Sequence, residues 1–416
     1  MKPLHVKILV SLFILSLLFL NKEWLVMYGW GISFLMYLAF FLDLQKIKHF
    51  DFSQNIHGYR MFPLAMLALL SVIWAPDGEA TLLHTLMLFV TILNSFVLYY
   101  FVVRYNLFSL IVYLLLGYSF INYSLALGLP YFGFLQNHDE EMARFIGTEL
   151  NPNYLAIMLL FSMFLSLLFF QERSSSSKAL KGLHIINIVL ALYTIFLTAS
   201  RKGITFSFLL LFLYGLINFK RMMASFKTIL IVGLAGSLVL FFVKIDFVTD
   251  TMGPAFERLG RMLSTMGGKS NEGSTEERVM FIREGWIQFT ASPFIGYGAA
   301  SFKYYYHLYA HNNYIELLFG VGFLGPLIYY SIHFSILRKL WEHRTGAFLA
   351  AFVLILMLMD VGLVSYYDKR VMLMLLFIIV LADRKIAERK AAKQLTIPAE
   401  NRWEQAIFPE EYAHLS

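Results

Sequence analysis

The chain contains no cysteine, and Asp, Glu, Lys and Arg together make up only 15% of its 416 residues. The first absence excludes disulfide-stapled secreted modules and cysteine-ligated zinc sites. The second excludes a disordered chain, which needs much charge and little apolar surface, and a soluble domain, where charged residues run at about 25%. No pair of histidines or carboxylates stands at metal-ligand spacing, so no metal or other cofactor is expected. What is abundant is apolar: 59% of the residues are hydrophobic, with 41 Phe and 24 Tyr. A typical soluble domain is roughly 45–50% apolar. The composition predicts an all-α, polytopic membrane helix bundle. The formal net charge of +7 then calls for a membrane explanation, and no nucleic-acid partner is expected.

A membrane-crossing helix needs about 20 mostly apolar residues. Such runs occupy residues 4–20, 24–42, 61–75, 81–103, 107–129, 154–170, 183–199, 204–219, 228–243, 312–337, 348–366 and 371–382. The first begins beside Lys2 and Lys7 like a signal peptide, but no small-residue cleavage site precedes Lys22, so it reads as a span. With both termini inside, 21 of the 34 Lys and Arg fall on the inner side and six in short outer loops. The remaining seven lie in residues 244–310, together with seven acids. That alternation follows the positive-inside rule, and shifting one span would scramble it. The organisation expected is a nine-span region (1–243), a large outer loop (244–310), a three-span region (311–382) and a basic inner tail (383–416), all one membrane domain. The tail reads as a solvated flank that touches membrane lipid.

Two outer segments interrupt this pattern. Around residues 130–153, Asp139, Glu140 and Glu141 read as a solvated face, and Asn151-Pro152-Asn153 is a turn at the mouth of the next span, where an Asn is also a good helix cap. In the large loop, Met252, Phe256, Leu259 and Leu263 have the spacing of an interfacial helix. Gly268-Lys269-Ser270 is not a phosphate loop, because Leu263 stands where its first glycine belongs and no strand precedes it. Ser274-Thr-Glu-Glu277 has capping-box form and predicts a second amphipathic helix with Val279, Ile282, Trp286 and Phe289 on one face. That helix stops near Pro293, before a tight turn at Gly296-Tyr-Gly298.

Ionisable groups at membrane depth are functional candidates by default. Arg201 and Lys202 open a span on the outer side. Lys202 is equally an interfacial anchor that snorkels to headgroups, whereas the fork of Arg201 suits bidentate binding of phosphate. His311 and Asn312 begin the span after the large loop, with Glu316 one turn on. A lone helix-terminal histidine is more often structural, but here it shares an outer mouth with a glutamate, an asparagine and arginines. Asp360 reads as a helix–helix polar contact.

His311-Asn312, followed after nine residues by Gly322-Phe-Leu-Gly325, resembles the H-N-x9-G-x-x-G signature of the O-antigen ligase and O-antigen polymerase superfamily. Gly147-Thr-Glu-Leu-Asn-Pro-Asn-Tyr-Leu155 resembles its G-x-x-x-N-P-N-x-L element. Thr198-Ala-Ser-Arg-Lys-Gly203 resembles its S-R-G element, with Lys202 inserted. Arg278, then Trp286, then Pro293-Phe-Ile-Gly-Tyr-Gly298 resembles its R…W…P-x-x-G-x-G element. All four fall in family order on the expected outer side.

The resemblance implies a metal-independent glycosyltransferase of the bacterial cytoplasmic membrane. Such an enzyme takes a glycan from a polyprenyl-diphosphate-linked oligosaccharide donor and gives it to a glycan or lipid acceptor on the outer face. Breaking the bond from the anomeric carbon to the diphosphate places charge on the leaving group, which fixed cations stabilise. Arg201 and Arg278 are assigned to that diphosphate, with Arg283 as a substitute for Arg278 and Lys202 as a further substrate contact. His311 is the candidate general base, its ordinary pKa near 6.5 suiting the task, and Glu316 orients it or takes its place. Asn151, Asn153 and Asn312 are expected to bind sugar hydroxyls. A repeat-unit polymerase and an O-antigen-type ligase share these motifs and differ in acceptor; the polymerase is the reading taken, and a chain-length regulator is a candidate partner. A 12-span transporter is the rival from another class, but the two halves show no matching pair of Gly/Pro-broken helices.

Overall fold

The computed structural model describes residues 3–19, 23–47, 50–128, 136–139, 142–149, 151–172, 177–218, 273–343 and 346–396. In chain order these form α1 (Pro3–Phe19), α2 (Glu23–Leu44), α3 (Ile56–Ser71), α4 (Gly78–Arg104), α5 (Phe108–Leu127), β1 (Gln136–Asp139) and β2 (Met142–Phe145). They continue with α6 (Pro152–Glu172), α7 (Lys178–Leu197), α8 (Arg201–Ile217), α9 (Gly273–Ala291), α10 (Ser301–Tyr306) and α11 (Asn313–Val321). The last are α12 (Leu324–Glu342), α13 (Ala347–Met359) with a 3-10 turn at Asp360–Gly362, and α14 (Lys369–Thr396). The expected span at 228–243, the stretch at 252–263 and the tail at 397–416 lie outside the described residues.

Helices dominate, and they start where the sequence supplies caps. Asn55 accepts from the Gly58 N–H at 3.2 Å, Asp77 from Ala80 at 2.9 Å and Ser177 from Leu180 at 3.3 Å, each satisfying a donor that the first turn leaves open. Among the described residues five stretches are long and apolar enough to cross a membrane: Met27–Leu44, Gly78–Arg104, Phe108–Leu127, Pro152–Gln171 and Lys178–Leu197. Pro3–Phe19 and Ala347–Gly362 are shorter apolar helices. The molecule is an integral membrane protein.

α6 lies at the centre, packed on α5, α7 and α8. Its Phe164 stacks on Phe352 of α13 with ring centroids 4.1 Å apart, and its Phe161 meets Phe377 of α14 edge-on at 5.6 Å. Apolar side chains gain nothing by leaving lipid tails for one another, so this close ring packing, about 0.5–1.5 kcal/mol per pair, holds the bundle instead.

The outer segment before α6 contains a hairpin: β1 and β2 pair antiparallel with Gln136 opposite Phe145 and Asp139 opposite Met142, which satisfies backbone groups that no helix takes up. Two expectations are corrected. The run at 312–337 is two helices, broken at Gly322, whose φ of +70° no helix accommodates. The run at 348–366 stops being helical at Gly362, and its remainder is a loop that feeds the 28-residue α14.

Candidate functional site

The turn from α7 to α8 carries the Thr198–Gly203 motif. Ser200 is the N-cap of α8, its hydroxyl accepting from the Gly203 N–H at 3.2 Å. Gly203 is required there, because a Cβ would stand 2.6 Å from that of Ala156. The Ser200 hydroxyl also donates to Asn153 Oδ1 at 2.8 Å. Arg144 on β2 donates to the Thr198 carbonyl at 3.1 Å through Nε and to Asn153 Oδ1 at 3.4 Å through Nη2. Asn153 therefore ties the loop before α6 to the turn before α8. The helix cap is Asn151, whose Oδ1 accepts the Asn153 N–H at 2.8 Å, with Pro152 in the first helical position that suits it. Asn151 Oδ1 is thus taken up by the cap, as Asn153 Oδ1 is by Ser200 and Arg144.

The segment before α11 is fixed as tightly. Asn312 Oδ1 accepts the Ile315 N–H at 3.1 Å, and its Nδ2 donates to the Val361 carbonyl at 3.1 Å. Buried Glu316 accepts the Ala310 N–H at 2.8 Å. Both residues hold the backbone on either side of His311, so their contact to this site in the structure runs through the backbone that carries the imidazole. His311 sits at φ +54°, a left-handed conformation that costs a non-glycine residue free energy and persists where neighbours enforce it. Its ring lies 4.0 Å from that of Tyr309 and parallel to Phe281 of α9 at 6.5 Å.

Two glycine motifs meet next to it. Tyr297 N donates to Phe319 O at 2.9 Å, Gly298 N to Gly320 O at 2.8 Å and Phe323 N to Pro293 O at 2.9 Å. Gly296 and Gly298 both have positive φ, and a Cβ on Gly322 would stand 2.7 Å from Pro293 O. The glycines permit the left-handed turns and the backbone approach, so P-x-x-G-x-G and G-x-x-G are two sides of one joint. The joint is anchored to the bundle by Thr81, which donates to Ala299 O at 2.9 Å, and by Ala299 N, which donates to Ser71 Oγ at 3.0 Å. α9 then crosses α11 at Gly285, where a side chain would collide with Ile315, and Phe281, Phe302, Ala310, Ile315 and Phe319 form a small core of their own.

These supports bring cations together around one mouth. The charges of Arg278, Arg201 and Arg144 all bear on Lys202, with Asp360 as the opposing charge. The Lys202 ammonium lies against Gly362, where a Cβ would be 2.6 Å from Nζ. Burial pushes the His311 imidazole down to about 4, and the positive charges of Arg278 and Lys202 push the same way. His311 is therefore neutral at physiological pH, an acceptor facing an electropositive surface. Arg283 is exposed on α9, away from the side on which Phe281 and Gly285 are buried. It does not join the cluster and is no substitute for Arg278.

Sequence reasoning left several groups unassigned. Arg144 looked like an ordinary loop cation. Arg370 donates to Glu149 at 2.6 Å and to Asp368 at 2.6 and 3.0 Å, lies 3.7 Å over the Tyr154 ring, and clamps the Gly147–Leu155 motif to α14. Tyr118 completes the clamp by donating to Glu149 at 2.8 Å. Asn313 staples the loop after the 3-10 turn, accepting from Ser365 N at 3.0 Å and Tyr366 N at 3.2 Å and donating to Asp360 at 3.3 Å. Position inside two motifs was a signal for Glu149 and Asn313; nothing local marked Arg370.

A family model described as O-antigen ligase matches residues 186–330. The match takes in the Thr198–Gly203 motif, Arg278 through Gly298, and His311 through Gly325, and it supports the resemblance to the O-antigen ligase and polymerase superfamily. No curated protein matches the chain.

Proposed function

We propose that the protein is a glycosyltransferase that moves a glycan from a polyprenyl-diphosphate carrier to an acceptor hydroxyl at the outer face of the bacterial cytoplasmic membrane, acting as a repeat-unit polymerase. One arrangement carries the reading: the charges of Arg278 and Lys202 bear on a histidine that is neutral at physiological pH, and Arg201 bears on Lys202. A diphosphate needs the cations and an attacking hydroxyl needs the base. In the step, the acceptor oxygen forms a bond to the anomeric carbon and its proton passes to His311. The bond from that carbon to the diphosphate oxygen breaks, and the electron pair leaves with the diphosphate. Arg201 and Arg278 stabilise that charge, Lys202 adds to it, and no metal is required. Asn153 stands at the same mouth and serves the sugar hydroxyls.

A second reading, an O-antigen-type ligase with a lipid or protein acceptor, is favoured by the description of the matching family. The test is incubation of purified protein with a polyprenyl-diphosphate oligosaccharide in a chelator, with and without lipid acceptors. Longer carrier-linked chains are expected. Transfer only to a different lipid or protein would establish the ligase, and no release of carrier diphosphate with any acceptor would defeat both.

A further inference from the structure

A second charged site lies at the far end of the bundle. α14 begins beside the Glu149 clamp, and Arg384 is fourteen residues further along it, about 21 Å at 1.5 Å per residue. There the ends of α4 and α12, the start of α5 and the second half of α14 enclose a groove of about 610 Å³. Its wall is apolar, built from Tyr99, Val102, Val103, Phe108, Val380 and Ile386, and its rim is basic.

Most cations of this region are already committed. Arg104 donates to buried Asp43 at 3.2 Å, which also accepts from Tyr100 and Tyr105. Lys339 pairs with Asp383, and Arg389 donates to the His343 carbonyl at 2.6 Å. Arg384 and Lys390 differ. Both line the groove and are exposed, and among the described residues neither has a carboxylate partner. The Arg384 guanidinium is held 4.8 Å over the Phe108 ring, which fixes its position while leaving its donors for another acceptor. With Lys339 neutralised by Asp383, the groove carries two surplus positive charges at a helix end, above a surface suited to acyl chains.

We propose that this groove binds an anionic phospholipid of the adjoining leaflet, its phosphate held by Arg384 and Lys390 and its chains lying on Val102, Val103 and Phe108. Charge complementarity selects the headgroup, and the apolar wall selects a lipid over a free anion. The site is independent of the transferase reading.

Native mass spectrometry of the full-length protein in micelles with equimolar phosphatidylglycerol and phosphatidylcholine reads the preference directly. Wild type should retain phosphatidylglycerol selectively, and Arg384→Gln and Lys390→Gln should each lower that preference about fivefold. Both side chains are exposed, so the variants fold; an unchanged thermal midpoint in phosphatidylcholine alone checks this. Arg338→Gln, which removes an exposed charge outside the groove, should leave the preference intact. Equal retention of both lipids by wild type, an equal loss in Arg338→Gln, or displacement of bound phosphatidylglycerol by inorganic phosphate would each overturn the assignment.

Discussion

The Ser200 hydroxyl donates to Asn153 Oδ1 at 2.8 Å across a sequence separation of 47, so the N-cap of α8 is bonded to a side chain in the first turn of α6. It joins the starts of the two helices, and the side chains it positions include Arg201 and Lys202. If the bond sets their geometry, Ser200→Ala and Asn153→Ala should each slow glycan transfer, and the double variant should be little worse than either. A coupling energy of about 0.5–3 kcal/mol is expected from the cycle. Strictly additive rates would show that the two residues act separately.

The pH profile tests His311. Its imidazole sits at about 4, first through burial and then through Arg278 and Lys202, so the acid limb of kcat/KM, which reports free enzyme, should fall near pH 4 instead of 6.5. Bound diphosphate offsets those cations, so the limb in kcat should lie at higher pH. Stability follows the same shift. Between about pH 4 and 6.5 the unfolded chain binds more protons at this residue, so stability drops as pH falls through that window and is unaffected above it. His311→Gln should abolish transfer and remove this pH-dependent loss of stability. Identical limbs at 6.5 in both profiles would remove His311 as the base.

Arg370 answers two carboxylates at once, Glu149 and Asp368. Removing it leaves both acids buried without their ion-pair partner, a change that costs about 3–5 kcal/mol. Arg370→Ala should therefore lower the thermal midpoint sharply, whereas Glu149→Gln, which leaves Arg370 its Asp368 partner, should do less. Similar midpoints for Arg370→Ala and wild type would show that the clamp is not structural.

Much of this was legible in the chain. Hydropathy marked nearly every described helix, because a backbone in lipid must be helical or paired, and Ser274-Thr-Glu-Glu277 placed α9. What failed was local reading of non-local partners. Arg144 and Arg370 have nothing beside them in sequence to distinguish them from loop cations, since their acceptors, the Thr198 carbonyl and Glu149, lie 54 and 221 residues away. The resemblance makes Asn312 a sugar contact and Glu316 the partner or stand-in of His311, and nothing in the local sequence shows that their polar atoms also serve backbone groups at Ile315, Val361 and Ala310. Gly322 sat inside an unbroken apolar run, and only its positive φ reveals the helix break.

Gly362 offers the sharpest separation of geometry from stability. It lies in the 3-10 turn after α13 without a left-handed φ, so alanine suits its backbone, yet a Cβ there would stand 2.6 Å from Lys202 Nζ. Gly362→Ala must therefore move the ammonium while sparing the fold, since a long flexible side chain yields before the backbone does. Misplacing a catalytic contact by about 1 Å costs on the order of 100-fold in rate. We expect kcat/KM for the lipid-linked donor to fall by about that factor with the thermal midpoint nearly unchanged. Lys202→Ala should give a comparable loss, and Gly362→Ala added to it should cause no further decline. Wild-type turnover in Gly362→Ala, in a protein shown by thermal unfolding to be intact, would mean that the inserted Lys202 is an interfacial anchor and that the two arginines hold the diphosphate without it.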